Sequence, residues 1–226
     1  KDVLRDIPNR KPPVSFQKGG RTMVRLYTIG VESVSVSVLL LPAMLLGWEL
    51  FRRNMPAVRK GMLLTFAVYL CAVYSATGLP DAGNFAFRPR LQLVPVLGVM
   101  KDTPQYLLDS LLNVVMFIPF GVFAPLLWRK LRSVKRTALA GLCFSFAIEM
   151  AQMFSGRLTD VDDLITNTLG AVIGCLIARV LYQKVVMAHG LHDTGRQDDI
   201  MGLPGMMLLS ASAMFWILPA FQGVQL

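Results

Sequence analysis

Most of this chain's apolar residues are gathered into uninterrupted runs close to the roughly 20 residues a helix needs to cross a bilayer. A soluble domain scatters its apolar residues with the period of each element, so runs of this length constrain the fold more than any other feature. Composition agrees. Of 226 residues, 54% are hydrophobic and 16% charged, against about 45–50% and about 25% in average usage. The reading is an all-α, polytopic transmembrane helix bundle with five to six spans.

In chain order, residues 1–26 form a basic arm, 27–183 a transmembrane core, and 184–226 a tail. Pro8, Pro12, Pro13, Gly19 and Gly20 argue against a long helix in the arm, and no charged, apolar, then small-residue leader pattern stands there. Spans are expected at about 27–50, 61–78, 107–128, 137–154 and 164–182, with a shorter segment at 206–221 that either crosses or lies in the interface. Pro119 predicts a kink in the third. The connection 80–107 is rich in Pro and Gly yet carries Phe85, Phe87, Leu91 and Leu93, so it is expected to fold back on the interface or cap a cavity. The short 155–163 connection makes the fourth and fifth helices antiparallel neighbours.

Orientation follows from the short loops. Arg52, Arg53, Arg59, Lys60, Arg129, Lys130, Arg132, Lys135 and Arg136 fill two of them, whereas 155–163 holds Arg157 against three aspartates. Basic loops stay in the cytoplasm, which places 155–163 outside. The basic arm points the other way. With a net charge of +9 a nucleic-acid partner has to be considered, but the cations flank apolar runs, so none is expected. Cys71, Cys143 and Cys175 fall within apolar runs and read as small buried hydrophobes. His189 and His192 stand in a polar tail without further ligands, so no metal site is expected.

Ionisable residues in spans are costly and point to function. Residues four apart share a helix face, which pairs Asp109 with Asn113 and Asp163 with Asn167, and lines up Ser145, Glu149 and Gln152. All lie toward the 155–163 end of their spans, where Asp160, Asp162 and Arg157 join them. Bland readings stand beside this. Thr159 or Asp160 caps the fifth helix, Asn113 and Gln152 tie helices together, and Gly170 and Gly174 form a small-residue packing face. Glu149 must pair, protonate or face water.

The motifs N-x-x-x-F-I-P-F-G at 113–121, I-E-x-x-Q at 148–152 and G-R-x-x-D-x-x-D-x-x-x-N-T-x-G-A-x-x-G at 156–174 resemble the VanZ-like membrane protein family. The resemblance implies a small multi-spanning protein of the bacterial cytoplasmic membrane. The name-giving member of that family raises resistance to teicoplanin-type, lipid-tailed glycopeptides. It singles out Asn113, Glu149, Gln152, Arg157, Asp160, Asp163 and Asn167 as ligand-binding positions and Pro119, Gly121, Gly170 and Gly174 as structural ones. It brings no settled catalytic mechanism and no known cofactor. The basic arm and the extra terminal segment depart from its pattern.

Three functions compete. The first is an envelope factor that binds a lipid headgroup, a lipoglycopeptide or a lipid-linked precursor, with Arg157 holding an anion and Glu149 and Asp163 engaging amines or hydroxyls. The second is a membrane enzyme with Glu149 as general acid or base and Asp160 and Asp163 on Mg²⁺ or Ca²⁺. It has no nucleophile–base pair to support it. The third is a transporter with Glu149 as proton carrier, disfavoured by the lack of an inverted repeat.

Overall fold

Inside a bilayer a backbone amide has no water to bond, so a spanning segment satisfies its polar groups within its own helix. The computed structural model, which describes residues 14–51, 56–83, 85–92, 103–182 and 202–222, is built accordingly. Its long helices are α1 (Val14–Phe51), α2 (Ala57–Thr77), α3 (Thr103–Leu127), α4 (Val134–Gln152), α5 (Val161–Tyr182) and α6 (Gly202–Gln222). Two three-residue strands, β1 (Arg90–Gln92) and β2 (Leu158–Asp160), pair in parallel. Arg52 and Arg53, residues 93–102, and His189 and His192 lie outside the described residues.

Five helices are long and apolar enough to cross a membrane: α1, α2, α3, α5 and α6. α4, expected as a span at 137–154, is excluded from that set by its charge, since it carries Lys135, Arg136 and Glu149. Its polar residues are sheltered instead, with Ser145, Glu149 and Gln152 all buried. Apolar side chains point outward from the other helices. Val180 on α5 and Trp216 on α6 are 71% and 72% exposed, the inverse of a soluble surface and suited to lipid.

Side-chain contacts fix the order of the ends. Lys60 pairs with Glu49 at 2.8 Å and Arg59 donates to the Leu127 carbonyl at 3.2 Å, so one end gathers the close of α1 and α3 and the start of α2. At the other end Gln152 donates to the Thr77 carbonyl and Asn113 to Asp163. The Ala82 amide donates to the Phe215 carbonyl of α6 there. The helices therefore run alternately up and down.

Three expectations change. α1 starts at Val14, so the boundary between arm and core at 26/27 falls inside a helix. Pro12 and Pro13 precede its first turn, where proline is tolerated, and two glycines at about 1 kcal/mol each do not stop a 38-residue helix. At 1.5 Å per residue that helix is about 57 Å long, well beyond the roughly 30 Å hydrocarbon layer. α6 covers the whole of 202–222 and packs on α1 and α2, with the Tyr74 hydroxyl donating to the Met207 carbonyl at 3.0 Å. Cys143 is exposed, unlike the buried Cys71 and Cys175.

The core is aromatic where α2, α3 and α4 meet. Phe66, Phe117 and Phe120 are fully buried, and Phe120 stacks on Phe144 with ring centroids 5.3 Å apart. α3, which stays helical through Pro119 and Pro125, crosses α5 backbone against backbone. A Cβ at Gly121 would overlap the Ala171 carbonyl oxygen, one at Gly170 the Val114 oxygen, and one at Gly174 the Ile118 oxygen. Small residues on such a face permit this approach and the dispersion contacts it brings.

Candidate functional site

The site end is organised by the segment 153–163. α4 ends at Gln152, and Gly156 turns the chain at φ 70°. β2 follows and leads straight into α5. Asp160 caps that helix, its Oδ1 accepting from the Asp162 amide at 3.0 Å, an arrangement that satisfies an orphan donor of the first turn. Its Oδ2 accepts from Gln92 Nε2 at 2.8 Å. Both Asp160 oxygens are thus occupied, and among the described residues no group of three metal-ligating side chains comes together. Burial holds the Asp160 carboxyl above its ordinary range, against the pull of the Asp162 amide.

The connection after α2 lies across this segment. The Ala86 and Arg88 amides donate to the Phe154 and Met153 carbonyls, each at 2.8 Å. The Phe85 ring stacks on Phe154 at 5.0 Å. β1 then pairs Arg90, Leu91 and Gln92 with Leu158, Thr159 and Asp160. The described part of the connection therefore folds back over the end of α4, holding the 153–160 loop between itself and the bundle.

Beneath the loop, Glu149 is 3% exposed. Its Oε2 accepts from the Asp160 amide at 3.0 Å, and the Thr159 hydroxyl donates to its main-chain carbonyl at 3.2 Å. Asn113 Nδ2 donates to Asp163 Oδ1 at 2.6 Å, tying α3 to α5. Asn167 Nδ2 donates to the Ser145 hydroxyl at 2.9 Å, tying α5 to α4. Gln152 Nε2 reaches the Thr77 carbonyl of α2 at 2.8 Å. The remaining oxygens Gln152 Oε1 and Asn167 Oδ1 are buried with no partner among the described residues. The polar groups of four helices thus converge on one end, each holding a neighbouring element.

Arg157 lies beside that interior, within reach of the charges of Asp163 and Glu149. It borders a cavity of about 240 Å³ between α1, α2 and α6. Glu32, Ser75, Asp81 and Ser155 supply its other polar groups, and Met214 and Leu218 from α6 form an apolar side. The guanidinium passes over Gly78, where any Cβ would overlap Nη1. Gly78 also closes α2 at φ 63°. Its amide donates to the Ser75 carbonyl and the Leu79 amide to the Tyr74 carbonyl, both at 3.1 Å, the paired bonds of a Schellman cap. Glycine is required there twice over.

Arg157 Nη1 makes one long contact, 3.5 Å to the Ala76 carbonyl. Arg25 Nη2 donates to that same oxygen at 3.0 Å. No carboxylate among the described residues ion-pairs with Arg157. Burial depresses its pKa, the charge of Arg25 adds to that, and the charges of Asp163 and Glu149 oppose it. Of the seven expected ligand-binding residues, then, Arg157 alone faces the cavity. Asn113, Glu149, Gln152, Asp160, Asp163 and Asn167 form the polar network at the same end of the bundle and do not line this cavity. Glu32, Ser75 and Arg25 were not expected here. Glu32 is visible in the sequence as an acid near one end of the first run, but its partner Ser75 lies 43 positions away on another helix.

Long helices running alternately up and down, five of them of membrane-spanning length and apolarity, with their polar groups collected at one end, define a multi-pass membrane protein. The chain belongs to the VanZ-like family: the VanZ/LLP1 family model matches residues 62–182. That match takes in α2 to α5 and the 153–163 segment, and leaves α1 and α6 outside. Neither a comparison with curated proteins nor one with solved structures finds a match.

Proposed function

We propose that this VanZ-like protein binds the anionic group of a lipid headgroup, or of a lipid-tailed ligand, in the Arg157 cavity. One observation carries the reading. A half-buried guanidinium borders a cavity, shares its single neutral acceptor with a second guanidinium, and has no carboxylate of the described residues in ion-pair contact. Guanidinium forks match phosphate and carboxylate oxygens bidentately, and an anion would relieve the repulsion between the two arginines. The apolar side, with Met214 and Leu218, suits the upper part of an acyl chain. Glu149, by contrast, sits in the interior and holds the Asp160 amide, which favours binding over acid–base catalysis.

Arg157→Gln is expected to weaken binding of an anionic phospholipid by about 10- to 100-fold, the equivalent of one charged hydrogen-bonded contact. Arg157→Lys keeps the charge without the fork and should recover part of the loss. Native mass spectrometry of the purified protein with titrated lipid measures both. Equal binding by all three proteins rejects the reading. In cells, the family relationship supports a contribution to teicoplanin-type resistance, and Arg157→Gln should then lower the inhibitory concentration.

The reading also places the Arg157 end on the outer face of the cytoplasmic membrane, supported by Arg129, Lys130, Arg132, Lys135 and Arg136 in one short connection at the opposite end. In a variant lacking Cys71, Cys143 and Cys175, a cysteine at the exposed Pro89 should react with a membrane-impermeant maleimide in intact cells. One at the exposed Lys130 should react only after the cells are broken. The reverse pattern would invert the topology.

A further inference from the structure

The family match begins at residue 62 and ends at 182, yet the Arg157 cavity is completed by helices outside those limits. α6 gives Met214 and Leu218, and α1 gives Glu32. Glu32 is half-buried. Its Oε2 accepts a hydrogen bond from the Ser75 hydroxyl, and no cation of the described residues ion-pairs with it. Arg25, two turns before Glu32 on α1, reaches the carbonyl of Ala76, the residue next to Ser75. Opposite charges thus stand on neighbouring anchors of α2 without meeting: Glu32 held at Ser75, Arg25 and Arg157 held at Ala76.

Glu32 and Arg157 are both half-buried, and charges taken partly out of water are normally found paired. Here the two anchors keep them apart, and the cavity opens beside both. A ligand carrying one negative and one positive group a short distance apart would satisfy the acid and the guanidinium together. We infer that the cavity is bipolar and takes a zwitterionic phosphoamine headgroup, with the phosphate at Arg157 and the ammonium at Glu32. The inference rests on the reading of Arg157 as an anion site and adds its selectivity. The core that matches the family model supplies the cation, Arg157, and a second acid, Asp81, whose Oδ1 accepts from the Gly83 amide, while the flanking helix α1 supplies Glu32, which chooses among anions. A phosphate ester without an amine leaves Glu32 facing the same cavity uncompensated, so it should be held less tightly.

The test uses the purified full chain and four probes: dioleoyl phosphatidylethanolamine, its N-acetyl derivative, dioleoyl phosphatidylglycerol and soluble glycerophosphoethanolamine. N-acetylation keeps the phosphate and removes the ammonium. The wild-type protein should prefer phosphatidylethanolamine over both amine-free lipids by about tenfold. Glu32→Gln, whose amide oxygen can still accept from Ser75, should bring that ratio close to one. Ser75→Ala, which releases Glu32 from its anchor, should narrow it independently. Thermal melting of each variant verifies that the bundle is intact. Competition by glycerophosphoethanolamine as strong as by the lipid would make the source a soluble phosphoamine, and weak competition a membrane lipid. Either upholds the bipolar site.

Equal affinity of the wild type for all three lipids, with Arg157→Gln weakening each, overturns the selectivity and leaves the anion site standing. A preference for phosphatidylethanolamine that survives Glu32→Gln also overturns it. Binding that is indifferent to Arg157→Gln removes the anion site and the inference with it.

Discussion

Gly174→Leu is expected to leave no folded bundle to purify. A side chain at this position would occupy the space of the Ile118 carbonyl oxygen and the Gly121 backbone. Those atoms belong to a helix spine and cannot rotate away as a side-chain tip would. The cost is expected to exceed about 4 kcal/mol, the range in which single substitutions become diagnostic. Even Gly174→Ala should destabilise, by about 1–3 kcal/mol as overpacking commonly does, although alanine is the better helix former. Gly61→Ala provides the contrast. No atom lies within 4 Å of a Cβ there, so only the helix-propensity gain of up to about 1 kcal/mol remains. Yield and melting temperature of the three variants in one detergent measure the difference. A Gly174→Leu protein that melts like the wild type would show that α3 and α5 do not cross so closely.

Glu149→Ala is the second large effect. The substitution strands the part-buried Asp160 amide, which now donates to Glu149 Oε2 at 3.0 Å, and empties space beneath the 153–160 loop. An unmade buried hydrogen bond costs about 1–3 kcal/mol, and the cavity left by the side chain adds to it. Because Asp160 also caps α5 and binds Gln92, the loss should spread to the start of α5 and to the β1–β2 pair. Glu149→Gln retains an oxygen in the same place and should recover most of the stability. Hydrogen exchange read at the amides of 158–164 separates the two: fast in Glu149→Ala, near wild type in Glu149→Gln. Equal exchange in both variants would mean that the Asp160 amide does not depend on this oxygen.

The helices were legible because bilayer length and apolarity leave their mark in every run, and helical spacing alone brought Asn113, Glu149, Gln152, Asp163 and Asn167 to one end. Membership of the family was legible for a related reason, since the glycines and polar residues of 113–121 and 156–174 occur at fixed helical offsets. Three things were not. α1 begins thirteen residues before the expected span, because nothing local distinguishes a helix that leaves the bilayer from one that starts at its edge. The β1–β2 pair joins segments 68 residues apart over three residues, too short for any alternation to show. The cavity beside Arg157 was the third. Offsets along a helix tell which residues share a face, but Arg157 precedes the helix, and its direction is set by the turn at Gly156 and the bare backbone of Gly78. Glu32 and Ser75 were hidden for the same reason, because their contact depends on how two separate helices rotate against one another.

The central claim is that a phosphate-bearing headgroup occupies the cavity bordered by Arg157, Ser75 and Glu32. Mapping the attachment sites of a phospholipid bearing a photoactivatable diazirine at its headgroup, in membranes containing the wild-type chain, tests it most directly. Attachment is expected on Tyr74–Pro80 and Ser155–Arg157, and its disappearance there is expected in Arg157→Gln. Attachment confined to outward-facing residues such as Leu107, Leu111 and Val180, unchanged by that substitution, would contradict the claim.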